Sequence, residues 1–449
     1  MTAQVTGARS RMAGGTLVAQ LRDLLSARRL RRLLGFSTLQ LLVQAAGFAA
    51  GIVIVRTLSP QDYGLYTLVV SGVALGNVML DLGLANAALA IGGPLASSAP
   101  ALGGLLRDAC RLQRRLMLWL ALPLLVMFGL MLHGSHAPSP PALFALAVLG
   151  LGTSVLNAGN ALRGSVLRLC GQISAQQRLD AGVNAVRALT VAALAWVGLD
   201  AVAATALLAG GAALMRFALR PLLRDMFERD IGAPAPRDGN HGGELRRLVR
   251  QQAPNSLYYC VNSQLPLWLL AALGGTARVA EAGALGRLAL LLAMVLAAVS
   301  ALVQPYVARA TQPGALAAGV AAVNGFFLLL CVALLGLSLA APEQMLWILG
   351  GHYNGLQREL PWLVAAAVLA AWAGALYSIG AARGWLVPAP WVVGTGVVST
   401  ALGVAMFDVA TVRGSLMLNT FTAGVSAVLM LAFVGRALRR YARGHEEPP

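Results

Sequence analysis

Polar residues in this chain are sparse and grouped, and the groups divide it into elements. An apolar run arrives at Val55, the stretch "RTLSPQDYG" interrupts it, and a second apolar run leaves from Leu65. The pattern repeats to the end of the chain, with runs longer than the ~18 residues that mark a bilayer-spanning helix. Twelve spans are predicted, at about 33–55, 65–90, 116–133, 142–162, 180–199, 201–219, 254–274, 282–308, 315–340, 361–382, 388–407 and 412–435. The period-2 alternation of a membrane β-barrel, in segments of ~10 residues, is missing. The expected class is therefore an all-α integral membrane protein with about 12 transmembrane helices.

The longest polar stretch, residues 221–250, mixes Gly, Pro and charges of both signs and falls between the sixth and seventh spans. It reads as a cytosolic linker between two six-helix bundles, 33–220 and 251–436, with a tail over 437–449. Residues 1–32 place Leu17, Leu21, Leu24 and Leu25 on one helical face beside Arg28, Arg29, Arg31 and Arg32. That is a basic amphipathic segment suited to the cytosolic leaflet, with no cleavage site of the signal-peptide kind. Residues 56–64 read as a tight turn in which Pro60 stops the chain and Asp62 stands ahead of the next helix. Gly64, and Gly283 at the corresponding place in the second half, open the return helices and let neighbours approach closely.

Charge orients this arrangement. Of 449 residues 58% are hydrophobic and 11% charged, and all 34 basic residues are arginine, giving a net charge of +17. With the N-terminus inside, 28 arginines fall in inner segments, four (Arg56, Arg278, Arg358, Arg413) in outer loops, and Arg187 and Arg287 within spans. The positive-inside rule then puts both termini in the cytosol, so the positive charge points to a membrane and not to nucleic acid. The four cysteines are scattered, and His133 and His136 lie in a Pro-rich turn without carboxylates, so neither a disulfide framework nor a metal site is expected.

Three stretches carry a family resemblance. "VRTLSPQDYGLY" with "LDLGLANA" resembles the opening helical hairpin of bacterial polysaccharide and oligosaccharide flippases (the lipid-linked O-antigen type). Residues 269–310, ending in Pro305 and Arg309, look like the seventh and eighth helices of that family, and residues 346–367 like the loop before its tenth. The family belongs to the multidrug/oligosaccharidyl-lipid/polysaccharide exporter superfamily. The resemblance implies two bundles around a central cavity, alternating access, and a bacterial inner-membrane location. It implies as cargo an undecaprenyl-pyrophosphate-linked oligosaccharide for cell-surface polysaccharide, with membrane lipids, a polymerase and glycosyltransferases as partners, and no cofactor. Twelve spans depart from the fourteen of the lipid II flippase branch, and with no lysine any cationic cavity must use arginine.

Such a cargo is anionic at the pyrophosphate and hydroxyl-rich at the sugar, so polar residues inside spans are its candidate contacts. Helical spacing groups Ser37, Gln40 and Gln44; Asn157, Asn160 and Arg163; Asp180, Asn184 and Arg187; and Gln251, Asn255, Tyr259 and Asn262. The substrate-binding set expected from these stripes is Arg187, Arg163, Arg287, Asn160, Asn184, Asn255, Asn262, Gln40 and Gln44. Arg187 and Arg163 are expected to meet one pyrophosphate together, because the guanidinium fork donates in pairs to phosphate oxygens. Each polar group is also compatible with helix–helix hydrogen bonding, worth roughly 0.6 kcal/mol per pair in membranes. Asp81 is either a structural partner of an inner arginine or a proton-coupling group. Two other functions compete. A cation-coupled multidrug exporter of the same superfamily needs carboxylates in the cavity, where this chain has arginine. A polysaccharide polymerase or transferase needs paired catalytic carboxylates on a sizeable outer loop, and the longest, about 341–360, has none, so no enzyme is expected.

Overall fold

In a computed structural model, residues 44–95, 99–133, 139–228, 241–291, 313–382, 385 and 387–443 are described. The first element is α1 (Gln44–Thr57). It is followed by α2 (Pro60–Asp81), α3 (Leu84–Leu95), α4 (Ala99–His133), α5 (Pro140–Leu169), α6 (Ile173–Val197) and α7 (Ala201–Glu228). Then come α8 (His241–Gly274) and α9 (276–291). The chain continues with α10 (Pro313–Ala340), the short α11 (Pro342–Trp347), α12 (Leu360–Ala382), α13 (Ala389–Met406) and α14 (Val412–Ala442). No strand occurs among the described residues. Eight helices are long and apolar enough to cross a bilayer by themselves, and the chain is an all-α, multi-pass membrane protein.

Where they are described, the twelve predicted spans fall on helices, the second divided between two, and several boundaries differ for local reasons; residues 33–43 of the first span and 292–308 of the eighth lie outside the described residues. The first turn is shorter than expected. The α2 helix begins at Pro60 with Ser59 as its cap. The Ser59 hydroxyl accepts from the Asp62 amide at 3.1 Å and donates to the Asp62 carboxylate at 2.7 Å. This serine N-cap, tightened by the side-chain bond to Asp62, leaves only Leu58 and Ser59 between α1 and α2. Asp62 is therefore inside the first turn of the helix, bonded to its cap, not ahead of it. The second span, expected over 65–90, stops at Asp81, where Leu82 (φ 43°) and Gly83 (φ 80°) take left-handed conformations. At Gly83 a side chain would also collide with Gln252 of α8. The stretch 221–250, read as linker, is helical over 221–228 and 241–250. The basic N-terminal segment lies outside the described residues.

Packing follows the order of the chain. In the first half α5 lies against α2, α4 and α7, with α3 between α4 and α5 and α6 along α7. In the second half α12 and α14 form the largest contact, flanked by α10 and α13. The α8 helix joins the halves by running against α2, α3 and α4. The Ser71 hydroxyl donates to Gln264 Oε1 at 2.6 Å and accepts from Trp268 Nε1 at 2.9 Å, which pins α2 to α8 near mid-length.

We call the end that carries the α1–α2 turn the turn end, and the opposite one the linker end. A single apolar cluster seals the turn end across both halves. It includes Val55, Leu58, Tyr63 and Tyr66 of α1–α2, Val191 of α6, Leu285 and Leu288 of α9, Tyr353 and Leu356 before α12, and Leu416 of α14. Close helix approach makes it tight. A Cβ on Gly64 would collide with the backbone carbonyl of Thr276, at the start of α9. One on Gly283 would fall 2.5 Å from Thr67 Oγ1 on α2. The two glycines thus occupy reciprocal places, each receiving the other half's helix. Arg56 straps the same end: its Nε and Nη2 donate to the carbonyls of Ile348 (3.0 Å) and Trp347 (2.6 Å), with the guanidinium over the Trp347 ring.

Candidate anion-binding site

Arg187 and Arg287 come from different halves of the chain and converge on one face of α1. Nη2 of Arg187 lies 3.6 Å from where a Cβ of Gly47 would be, and Nη1 of Arg287 lies 3.2 Å from that of Gly51. Gly47 and Gly51 are one turn apart, so their Cβ positions are ~6 Å apart. The two guanidiniums therefore lie at most about 13 Å apart along the same face of α1. A Cβ at Gly51 would press on the Arg287 guanidinium, whereas one at Gly47 would meet Arg187 at ordinary contact distance.

Depth can be read from the helices. Arg187 is ten residues from Val197 at the turn end of α6, about 15 Å at 1.5 Å per residue. Arg287 is eleven residues into α9, a similar depth of about 16 Å. Arg187 belongs near the middle of a ~30 Å hydrocarbon core, whereas the Arg287 guanidinium reaches back toward the turn end, to Gly51, six residues or about 9 Å from Thr57. Arg287 Nε donates to the Tyr63 hydroxyl at 3.4 Å. Among the described residues Arg187 has no hydrogen-bond partner and pairs with no carboxylate. A guanidinium at mid-core depth without a carboxylate is costly, at least ~2.5 kcal/mol on insertion scales. A bound anion would relieve that cost.

The other expected site residues separate into several environments. Asn184 stands on the Arg187 stripe with Oδ1 toward Gly47, while its Nδ2 donates to the Asp180 carbonyl at 2.8 Å. Gln44 is half-buried at the start of the described part of α1. Gln40 and the side chain of Asn255 lie outside the described residues. Asn262 is engaged in helix packing, accepting from Thr400 Oγ1 at 2.9 Å. Asn160 donates to the Ala212 carbonyl at 2.9 Å, fixing α5 to α7, and its own oxygen is buried without a partner. Asp81 accepts from the Ala85 amide at 3.1 Å, capping α3 across the left-handed break, and pairs with no arginine among the described residues.

Arg163 is not beside Arg187. Its Nη1 donates to the Gly159 carbonyl at 2.8 Å and shares the space over Gly159 with Arg216 of α7. Arg187 instead passes Gly211 of α7, its Cδ 3.5 Å from that Cβ position. Gly211 and Arg216 are five residues apart, about 140° around a helix of 3.6 residues per turn. The two arginines therefore serve different flanks of α7, and the expectation of one shared pyrophosphate does not follow. Sequence reading missed Arg216 because it was counted with the inner-segment charges. The available signal was its position inside the apolar run 201–219. Tyr63, the hydroxyl partner of Arg287, was also missed; nothing in its spacing marks it.

No family model matches the sequence, and no curated protein matches it. Solved structures do. Lipid II flippase MurJ in an inward closed conformation superposes with a TM-score of 0.65 at 13% identity, covering 91% of this chain and 90% of that one. A MATE transporter in complex with MaD3S gives 0.61 at 15% identity, covering 90% and 94%. An outward-facing multidrug resistance MATE family transporter of the MOP superfamily gives 0.54 at 15%, again covering 90% and 94%. This chain has the fold shared by MurJ and the MATE transporters of the MOP superfamily.

Proposed function

We propose that this protein is a flippase that moves an undecaprenyl-pyrophosphate-linked oligosaccharide across a bacterial inner membrane, with both termini cytosolic. The observation that carries the reading is the convergence of Arg187 and Arg287 on Gly47 and Gly51, within the span of α1 and with no carboxylate paired to either among the described residues. A diffuse dianion such as pyrophosphate suits two guanidinium forks, whereas a cationic drug would be repelled by them. The fold is equally that of drug exporters; the sign of the charge favours a lipid-linked glycan. In this reading the turn end is the periplasmic gate, closed in this structure, and the halves rock to open it. Glycosyltransferases on the cytosolic side would supply the cargo, and a polymerase on the far side would consume it.

The test is transport of a labelled undecaprenyl-pyrophosphate-linked glycan in proteoliposomes. Arg187→Ala and Arg287→Ala should each abolish flipping while the protein still reconstitutes normally. Arg187→Lys should recover part of it, because an ammonium supplies charge without the paired donors. Wild-type flipping in the double alanine variant would refute the assignment. Flipping absent from the wild type, with ethidium efflux present, would favour the drug exporter.

A further inference from the structure

A second group of arginines lies on the other flank of the α5–α7 seam. Arg163 and Arg216 meet over Gly159, whose missing side chain makes room for both guanidiniums. Arg220 and Arg114 are close enough to add their charge to both. No described carboxylate forms an ion pair with any of the four. Nη1 of Arg216 is buried and has no hydrogen-bond partner. Four cations from three helices, one with an orphaned buried donor, repel one another unless an oxyanion sits among them.

Depth and surroundings indicate the source of that oxyanion. Arg216 is fifteen residues from Ala201 and Arg220 nineteen, about 22 and 28 Å from the turn end. Arg114 is nineteen residues from His133, again about 28 Å. On a ~30 Å core Arg220 and Arg114 fall at the linker-end headgroup level and Arg216 more than a turn inside it. The group also opens toward lipid. The guanidinium of Arg220 stacks on Phe217, 4.6 Å from the ring centroid, and Phe217 is 60% exposed. One turn beyond exposed Arg114, Leu118 is 81% exposed on the same side of α4. Two arginines thus border apolar faces that meet acyl chains, and two lie deeper against Gly159.

We propose that Arg114, Arg163, Arg216 and Arg220 form a phosphate-binding site for the headgroup of an anionic membrane lipid, separate from the Arg187–Arg287 pair. Phosphate oxygens would take the free donors of Arg163 and Arg216, and the acyl chains would lie along Phe217 and Leu118. The site would hold a resident lipid against the first bundle at the linker end.

The experiment uses the full chain, delipidated in detergent, with native mass spectrometry and thermal unfolding as readouts. Cardiolipin or phosphatidylglycerol should leave a retained adduct on the wild type and raise its unfolding temperature; phosphatidylcholine should do neither. Arg216→Gln, and the milder Arg163→Lys, should weaken anionic-lipid retention, about tenfold for the former, since charged hydrogen bonds of this kind are lost. Exposed Arg413 at the turn end is the control, and Arg413→Gln should bind as the wild type does. Equal retention by wild type and Arg216→Gln would overturn the proposal. Full stabilisation by millimolar inorganic phosphate or pyrophosphate, with nothing added by lipid, would overturn its lipid part. Arg187→Ala should keep the adduct, so failure of this site and failure of the flippase reading are told apart.

Discussion

Gly64→Ala tests whether close approach of α2 and α9 closes the turn end. The added methyl would lie under 3.0 Å from the Thr276 carbonyl oxygen, a backbone atom that no rotamer change can move aside. Ordinary contact needs ~3.5 Å or more, so the seam must part. Overpacking of this kind costs typically ~1–3 kcal/mol. Only the closed arrangement bears this cost, so the open-to-closed ratio should rise by roughly 5- to 150-fold. Spin labels at Gln61 and Gln357, both exposed and on opposite sides of the seal, report the gap by double electron–electron resonance. The wild type should give a short distance, and Gly64→Ala should add a longer population. Gly283→Ala should act alike but less strongly, because it meets a side chain, Thr67, and not a backbone atom. Gly286→Ala on the same helix should do nothing, since no atom lies within 4 Å of its Cβ position. An unchanged distance distribution in a folded Gly64→Ala protein would refute the reasoning.

Arg56→Ala removes two hydrogen bonds and the Trp347 stacking from an exposed strap, so the same label pair should show a smaller opening, about fivefold for ~1 kcal/mol. Asp81→Ala removes the α3 cap and should lower thermal stability by about 1 kcal/mol, leaving the pH profile of transport unchanged. A shifted profile would restore Asp81 as a proton-coupling group. Ser59→Ala removes the N-cap of α2 and should cost about 1 kcal/mol, read as earlier thermal unfolding in detergent.

Segment-level features were legible in the sequence because they depend on local composition. A run of twenty apolar residues must be a helix in lipid, since its backbone can satisfy its hydrogen bonds no other way except in a barrel. That reasoning placed the long apolar helices wherever they are described, while merging α2 and α3 into one span, and singled out Arg187 and Arg287 as cations within spans. Boundaries were less secure. Capping at Ser59 and the left-handed pair Leu82–Gly83 are local, but apolar residues on both sides hid the break in the second span. Partnership between helices was not legible at all. Spacing placed Arg163 and Arg187 on stripes of adjacent spans, and only packing turned one toward Arg216 and the other toward Gly47 and Gly211. A stripe specifies a face of its own helix; which neighbour that face meets depends on how all the helices pack. For the same reason Gly64 and Gly283 could be matched by position, but their contacts with Thr276 and Thr67 exist only once the two halves meet.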